Sequence, residues 1–498
     1  MTEGRDRWKS RYRFILAAVG CSVGLGNVWR FPYVAYTSGG GAFMIPYLIA
    51  LLTAGIPLLM LEFGIGQKSQ KAGPGAMRSM NKSMEWVGWW GVGVSFVIVS
   101  YYAVIMGWAW DYLIFSFRQS WLPDAGQFYR EHFLAVTEGP ADWGKLNIPV
   151  LGGLVATWMV IYWILHKGIE RVGKVVMWSV PLPVILLVIL VIRGVTLPGA
   201  IDGISYYLTP DFSKLLDPKV WLAAYGQVFF SVGIGWGIMV AYASYRPQSA
   251  DVTNSAFITA LLDGGFSYFA GFAVFSTVGY LATMQGVGVP EAVTSGFGLA
   301  FIAYPTAISA MPFLSEAIGV IFFLMLLTLG IDSAFAMVEA VVAATHDRWN
   351  ISKKRATKII CLIGFVFGVP FCFAGGYHWM DIVDHWISAW GLAIVGLLEC
   401  IVAGWMFPIE TLREFLNKVS DFRVGIWWTI CIKWVTPIIL IIMIIQNLIG
   451  EFTSAYGGYP VWSLMVGGWL VTFLVIGISV WLQLKTPSKV TIQKEKLS

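Results

Sequence analysis

Apolar segments long enough to cross a lipid bilayer recur from one end of this 498-residue chain to the other. The hydrocarbon core of a bilayer is about 30 Å thick and needs about 20 apolar residues per helix. Hydrophobic residues make up 57% of the chain and charged residues only 12%, which excludes a set of water-soluble domains. The sequence therefore predicts an all-α membrane protein of about 12 transmembrane helices. The predicted spans, numbered in chain order, are 12-36, 41-67, 86-117, 148-165, 174-193, 219-245, 253-282, 312-343, 357-374, 380-407, 425-448 and 461-483.

Lysine and arginine concentrate in alternate loops of the predicted topology. Basic stretches lie at 5-13, 68-82, 167-174, 348-358 and 485-496. Since cytoplasmic loops of membrane proteins carry an excess of these residues, we expect a multi-pass protein of the cell's inner (plasma) membrane with both termini in the cytoplasm. The net charge of +5 then reflects topology, and no nucleic-acid partner is expected. The sequence leaves the oligomeric state open.

Closely spaced glycines interrupt two of the spans at mid-membrane depth. Span 1 contains Gly24 and Gly26, and span 6 contains Gly233, Gly235 and Gly237. Glycines two residues apart differ from the GxxxG packing motif and favour local unwinding, although close helix packing is the alternative. Unwound backbone is tolerated in a membrane only where it is buried in protein or lines a cavity. The two breaks therefore predict a binding site between spans 1 and 6.

The breaks fall at corresponding positions, in the first span of each of two groups of five. This pattern is typical of a 5+5 inverted repeat with its site between the discontinuous helices 1 and 6. We expect the first repeat within 1-193, the second within 194-407 with an outside loop at 283-311, and spans 11 and 12 within 408-498. Half-helix N-termini attract anions and the preceding carbonyls attract cations, so one site can hold a carboxylate together with sodium.

Five motifs in chain order carry a resemblance to a known family. They are VGLGNVWRFPY at 23-33, GGGAFMIPY at 39-47, KGIERVGK at 167-174, YASY at 242-245 and LTLGIDSAF at 327-335. With these motifs the sequence resembles the neurotransmitter:sodium symporter family, including the bacterial transporters for leucine and other hydrophobic amino acids. The resemblance implies the leucine-transporter fold and sodium-coupled import of an amino acid by alternating access.

The resemblance also implies two sodium sites built from oxygen ligands, which suit a hard cation. One site would share the substrate carboxylate as a ligand and so couple ion to substrate. Carboxylates inside a membrane are costly and by default functional, although a structural hydrogen-bonded acid is the alternative. The implied ligands are Ser22, Asn27, Ser231 and Asp263 at the first site, and Gly20, Val23, Leu329, Asp332 and Ser333 at the second.

Asp263 is the position that bears on chloride. Many relatives have asparagine there and bind chloride beside it through groups that match Tyr47, Gln227, Ser231 and Ser267. Because a carboxylate supplies the compensating charge permanently, we predict transport without chloride. An empty carrier returning without sodium would favour protonation of Asp263, so proton counter-transport is a further expectation.

The pocket residues implied by the resemblance indicate the substrate class. Carriers of monoamines have an acid at the position of Gly24, so a glycine there predicts a substrate with its own carboxylate, received by Leu25, Gly26 and Tyr102. No pocket side chain carries a fixed charge, and Gly233 and Ala334 leave room, which favours a bulky neutral or aromatic L-amino acid. The implied contacts are Ser22, Gly24, Leu25, Gly26, Ile98, Val99, Tyr102, Phe230, Ser231, Gly233, Trp236, Ala334 and Phe335.

Two sets of residues match the family's gates. Arg30 and Asp384 would close the outside, capped by Tyr102 and Phe230. The implied cytoplasmic gate consists of Arg5, Trp8, Tyr245 and Asp347, although Arg5 also fits simple positive-inside topology.

Other functional classes fit the sequence less well. A membrane enzyme would need a nucleophile and base or a metal cluster, and the sequence shows no such arrangement at membrane depth. A channel would need a continuous polar pore or a repeated filter motif. A non-transporting amino-acid sensor on the same fold stays open as the alternative, because a sensor and a carrier share one site.

Overall fold

Helices dominate the computed structural model, which describes residues 6–293 and 296–485. In these residues the extended pairing is a single bridge between Leu146 and Phe373. The prediction of an all-α protein is confirmed. Arg5, predicted for the cytoplasmic gate, lies outside the described residues.

Ten described helices are long and apolar enough to cross a membrane. A bent pair, Arg11–Ser22 and Leu25–Thr37, passes the same test as one span with a bend of 56°. The sixth predicted span, 219-245, consists of two shorter helices, Pro218–Ser231 and Ile238–Ala243. The ten helices are Gly40–Ser69, Lys82–Ser116, Ile148–Leu165, Ile169–Val195, Thr253–Gln285, Ser315–Trp349, Lys353–Cys372, Gly376–Met406, Ile426–Gly458 and Val461–Leu484.

The break in span 1 is short. Val23 ends the first half-helix with φ −78° and ψ 93°, and Gly24 is extended with φ −121° and ψ −166°. Gly26 lies inside the first turn of the second half-helix, so it does not belong to the unwound stretch as predicted. Its role is steric, because a Cβ there would lie 3.1 Å from the Phe230 ring. Span 1 is therefore broken at Val23 and Gly24.

The break in span 6 is longer and covers residues 232–237. Gly233, Gly235 and Gly237 have φ values of +75°, +81° and +69°. Residues with a Cβ rarely adopt this left-handed region, whereas glycine does so without steric cost. The glycine spacing therefore encodes the unwinding directly, and the predicted discontinuity of both spans is confirmed.

Spans 1 and 6 lie at the centre of the helix packing. The first half of span 1 packs against spans 5, 7 and 8, and its second half packs against spans 6 and 7. The second half of span 6 packs between spans 2 and 8. Span 11 packs on span 10, and span 12 packs on span 3. The two breaks are thus enclosed by other helices, whereas the division into two repeats stays a prediction.

Candidate functional site

Polar side chains from neighbouring spans satisfy the exposed backbone of the span 6 break. The Gly235 N–H donates to Glu62 Oε1 of span 2 at 2.7 Å. The Ser95 hydroxyl of span 3 donates to the Trp236 carbonyl at 2.6 Å. Both acceptors and donors are buried, so these bonds offset the cost of unwinding a helix away from water. Neither Glu62 nor Ser95 is among the site residues predicted from the sequence.

The predicted residues of the first ion site form one buried cluster where the two breaks meet. The Asn27 amide nitrogen donates to Asp263 Oδ1 at 2.7 Å, to Ser267 Oγ at 2.7 Å and to Ser231 Oγ at 3.1 Å. The Ser231 hydroxyl also donates to Asp263 Oδ2 at 2.8 Å. Asp263 is fully buried. Spans 1, 6 and 7 therefore meet through oxygen-rich side chains, a donor set that fits a hard cation.

The Asn27 amide is oriented differently from the predicted ion ligand. Its oxygen accepts the Gly24 N–H at 2.9 Å, so the nitrogen and not the oxygen faces Asp263. Sodium binds oxygen, and ligation by Asn27 therefore requires the amide to exchange its two ends. Ser22 is also near the break, because its hydroxyl donates to the Val232 carbonyl at 3.1 Å.

The second predicted ion site lies against the end of the first half-helix of span 1. A Cβ at Gly20 would approach Asp332 Oδ2 to 2.9 Å, and Ser333 Oγ donates to the Cys21 carbonyl at 3.1 Å. Asp332 accepts a hydrogen bond from Ser179 of span 5 at 2.7 Å, a partner that sequence reasoning missed. Leu329 and Val23, the other predicted ligands, are buried.

The predicted substrate contacts come together from spans 1, 3, 6 and 8. The Tyr102 hydroxyl faces the Leu25 backbone and the Ser333 hydroxyl without a regular hydrogen bond to either. The Phe230 and Trp236 rings pack edge to face with centroids 6.0 Å apart. The other apolar residues predicted for the pocket are buried: Ile98, Val99, Ala334 and Phe335.

The two predicted residues of the outer gate do not contact each other directly. The Arg30 guanidinium lies 4.5 Å from the centroid of the Phe230 ring. Asp384 accepts hydrogen bonds from Tyr101 at 2.5 Å and Ser388 at 3.0 Å. Within residues 6–293 and 296–485 no ion pair joins Arg30 to Asp384, so in this structure an aromatic ring and not a carboxylate partners the arginine.

Contacts of the N-terminal segment close the side of the protein that is predicted to face the cytoplasm. The Trp8 indole N–H donates to the Tyr242 carbonyl at 2.8 Å, and its backbone N–H donates to the Tyr245 carbonyl at 3.1 Å. Trp8 is only 6% exposed. Asp347 accepts the Ala72 N–H at 2.8 Å and so fixes the loop that follows span 2. Three of the four predicted inner-gate residues therefore make cross-element contacts.

A charge network that sequence reasoning missed reinforces this closure. The Tyr245 hydroxyl donates to Glu339 at 2.7 Å, and Lys353 lies 3.9 Å over the Tyr245 ring. Lys353 also pairs with Asp6 at 2.9 Å and with the buried Glu339 at 3.6 Å. A glutamate in the apolar sequence of span 8 was the signal, but its partners, Tyr245 and Lys353, come from two other segments.

Arg246 anchors the same side of the protein. It donates to the Asp251 carbonyl at 2.8 Å and to Ser255 Oγ at 3.2 Å, and its own carbonyl accepts from Arg7 at 2.5 Å. Burial lowers the pKa of Arg246 to about 10, so the side chain stays charged at neutral pH. Through the bond from Arg7, the N-terminal segment is thus attached to the main chain of Arg246, at the end of span 6 that is predicted to face the cytoplasm.

Replacing Trp8 with alanine is expected to shift the protein toward forms that are open to the cytoplasm. The substitution removes a buried indole and its bond to Tyr242, a loss of about 3–5 kcal/mol from the closed form. Labelling of a cysteine introduced on the cytoplasmic side of span 6 measures the shift. Asp347→Ala should act in the same direction, and Trp178→Ala, at an exposed position of span 5, is the matched control. Unchanged labelling in both gate variants would contradict an inner-gate role.

Comparison with known proteins places the chain in a family. The profile of the sodium:neurotransmitter symporter family matches residues 5–125 and 120–489. The chain is 41% identical over 483 residues to an uncharacterized sodium-dependent transporter of Methanocaldococcus jannaschii, covering 96% of this chain and 97% of the relative.

Two animal transporters are more distant relatives. The sodium- and chloride-dependent creatine transporter 1 of Bos taurus is 34% identical, covering 93% of this chain and 80% of that protein. The sodium- and chloride-dependent glycine transporter 1 of Xenopus laevis is 32% identical, covering 93% of this chain and 81% of that protein. The near-complete coverage, the two broken spans and the ion-site cluster agree. This multi-pass membrane protein belongs to the sodium:neurotransmitter symporter family, whose members are sodium-coupled transporters and not enzymes.

Proposed function

We propose that this protein is a sodium-driven symporter that imports a neutral, apolar L-amino acid by alternating access. We place it in the cell's inner (plasma) membrane with both termini in the cytoplasm. The observation that carries the proposal is the cluster of Asn27, Ser231 and Asp263, which joins the two broken spans. Two sodium ions accompany the substrate in this proposal, one at each buried aspartate.

Unpaired carboxylates support the two sodium sites. Asp263 is fully buried and Asp332 is 2% exposed. Among the described residues, no lysine or arginine forms an ion pair with either of them. An isolated buried carboxylate is strongly unfavourable, and a bound cation removes that cost. Neighbouring hydroxyls and main-chain carbonyls supply the further oxygen ligands that sodium needs.

The start of the second half of span 1 supports an amino-acid substrate. The first N–H groups of a helix have no partner within the helix and attract a carboxylate. Leu25 and Gly26 occupy this position, with Tyr102 alongside. Ile98 and Phe335, which the family resemblance assigns to the adjoining wall, are apolar and buried, and this supports a substrate with a neutral side chain. Gly233 and Ala334 favour a bulky one, as the sequence predicts.

Uptake into proteoliposomes tests the proposal directly. With an inward sodium gradient, we expect accumulation of radiolabelled leucine, phenylalanine, tyrosine or tryptophan, and little accumulation of glycine. A potassium gradient of the same size is the control. Sodium-dependent binding without accumulation would indicate the sensor instead, and preferential uptake of glycine would contradict the inferred pocket size.

Two observations bear on chloride, and they point in opposite directions. Asp263 places a permanent negative charge at the first ion site, which favours chloride-independent transport. However, the Tyr47 hydroxyl is buried near Asp263 and faces Ser267, and the Gln227 amide is buried one helical turn before Ser231. Neither group makes a regular hydrogen bond among the described residues. Such donors would suit an anion, and the creatine and glycine transporters named above are chloride-dependent. We propose chloride independence because a second anion beside Asp263 would be repelled.

A further inference from the structure

A polar cluster joins the outer end of span 10 to span 11 and to the loop before span 12. His385 Nε2 lies 2.5 Å from Glu451 Oε1 of span 11. The His385 ring stacks on Tyr456, with centroids 3.7 Å apart and an interplanar angle of 14°. The Tyr456 hydroxyl donates to Asp381 of span 10 at 3.1 Å. We call these four residues, His385, Glu451, Tyr456 and Asp381, the outer clamp.

The outer clamp adjoins the acid that is predicted for the outer gate. Asp384 directly precedes His385 in span 10 and accepts a hydrogen bond from Tyr101 of span 3 at 2.5 Å. Span 10 is therefore held at this level on two sides, by span 3 through Asp384 and by span 11 through His385. A helix held on both sides presents Asp384 at a fixed distance from the Arg30 side of the site.

The charges of the cluster make the His385–Glu451 contact its strongest element. The two side chains are 23% and 11% exposed, so both are largely removed from water. Asp381, Asp384 and Glu451 form no ion pair with lysine or arginine within the described part of the chain. A hydrogen bond to a carboxylate is about twice as strong as one between neutral groups, so the 2.5 Å contact of His385 with Glu451 is the strongest in the cluster.

We propose that the His385–Glu451 pair is a positioning device for the outer gate. It holds the outer end of span 10 so that Asp384 stays where the gate closes over the substrate. Spans 11 and 12 then brace the gate, which gives these two spans a role. The inference rests on the proposed alternating-access cycle, because a gate has this meaning only in a protein that opens and closes.

Single and double substitutions test the clamp. His385→Ala and Glu451→Ala should each raise the KM of sodium-driven uptake about ten-fold, the size expected for a hydrogen bond to a charged group, with a smaller effect on the maximal rate. The KM of the double variant should not exceed the higher KM of the two single variants, because each single change already removes the contact. His166→Ala, at the cytoplasmic end of span 4, is the matched control.

A further readout separates positioning from a merely structural effect. Labelling of a reporter cysteine in Ile98→Cys by a membrane-impermeant thiol reagent should increase in both clamp variants, since their outer gate closes less; all five native cysteines are buried.

The outcomes distinguish the clamp from the proposed function. A wild type that binds substrate but imports none would refute the symporter, and reporter labelling would still decide the clamp. The clamp would be refuted if both single variants had the same reporter labelling and the same KM as the wild type. Additive effects on KM in the double variant would refute it as well. The exchange His385→Glu with Glu451→His should restore part of the affinity, which a loss of folding would not allow.

Discussion

Asp263→Asn is expected to convert chloride-independent uptake into chloride-dependent uptake. The substitution keeps the size of the side chain but removes the charge that balances sodium at the first site. Uptake without chloride should fall about 100-fold, the effect of leaving a charged ligand uncompensated in a buried site. Added chloride should restore a large part of the uptake, because two buried groups without a regular hydrogen bond can donate to an anion: the Tyr47 hydroxyl near residue 263 and the Gln227 amide one helical turn before Ser231. Uptake of substrate in chloride and in gluconate buffers measures both effects.

The controls for this result use the same chemical change elsewhere. Asp202→Asn alters an exposed acid on the outer helix Ala200–Leu208 and should leave uptake unchanged in both buffers. Asp263→Ala should abolish uptake in either buffer, because it removes the ligand together with its charge. If the wild type requires chloride, or if Asp263→Asn transports equally well without it, the proposed charge balance is wrong.

Gly24→Val is expected to weaken sodium-dependent substrate binding strongly while the protein still folds. A Cβ at residue 24 would lie 2.9 Å from Ser333 Oγ and 3.7 Å from the Tyr102 hydroxyl, where the predicted sodium and substrate sites adjoin. The backbone there is extended, so valine causes no backbone strain and the effect is steric. Overpacking of this kind weakens substrate binding on the order of 10- to 100-fold. Equilibrium binding of the substrate with and without sodium measures the effect.

Gly152→Val is the matched control for that steric effect. Gly152 lies in span 4, and a Cβ there would meet no atom within 4 Å. Its binding and thermal stability should therefore equal those of the wild type. If Gly24→Val binds substrate normally, then the break in span 1 does not form the substrate site.

The sequence determined the membrane class, the number of spans and the position of both breaks. These features depend on local physics: an apolar helix of about 20 residues spans a bilayer, and glycine alone adopts positive φ freely. The unwinding at Gly233, Gly235 and Gly237 was therefore predictable without a fold. The ion-site residues were identified through their resemblance to family motifs, and the structure then brought Asn27 and Asp263 into contact.

Only the tertiary structure decided which side chains satisfy the broken helices and which contacts close the two ends. Isolated polar residues within apolar sequence include Ser95, Ser179 and Glu339. Their neighbours in the sequence do not indicate which partners they meet across the packed helices. The same holds for His385 and Glu451, which lie 66 residues apart in different spans. Local sequence specifies where a helix forms and where it breaks. The hydrogen-bond partner of a buried polar group instead depends on which helices pack together. A buried polar group needs a partner, and only the packing of distant segments brings one within reach.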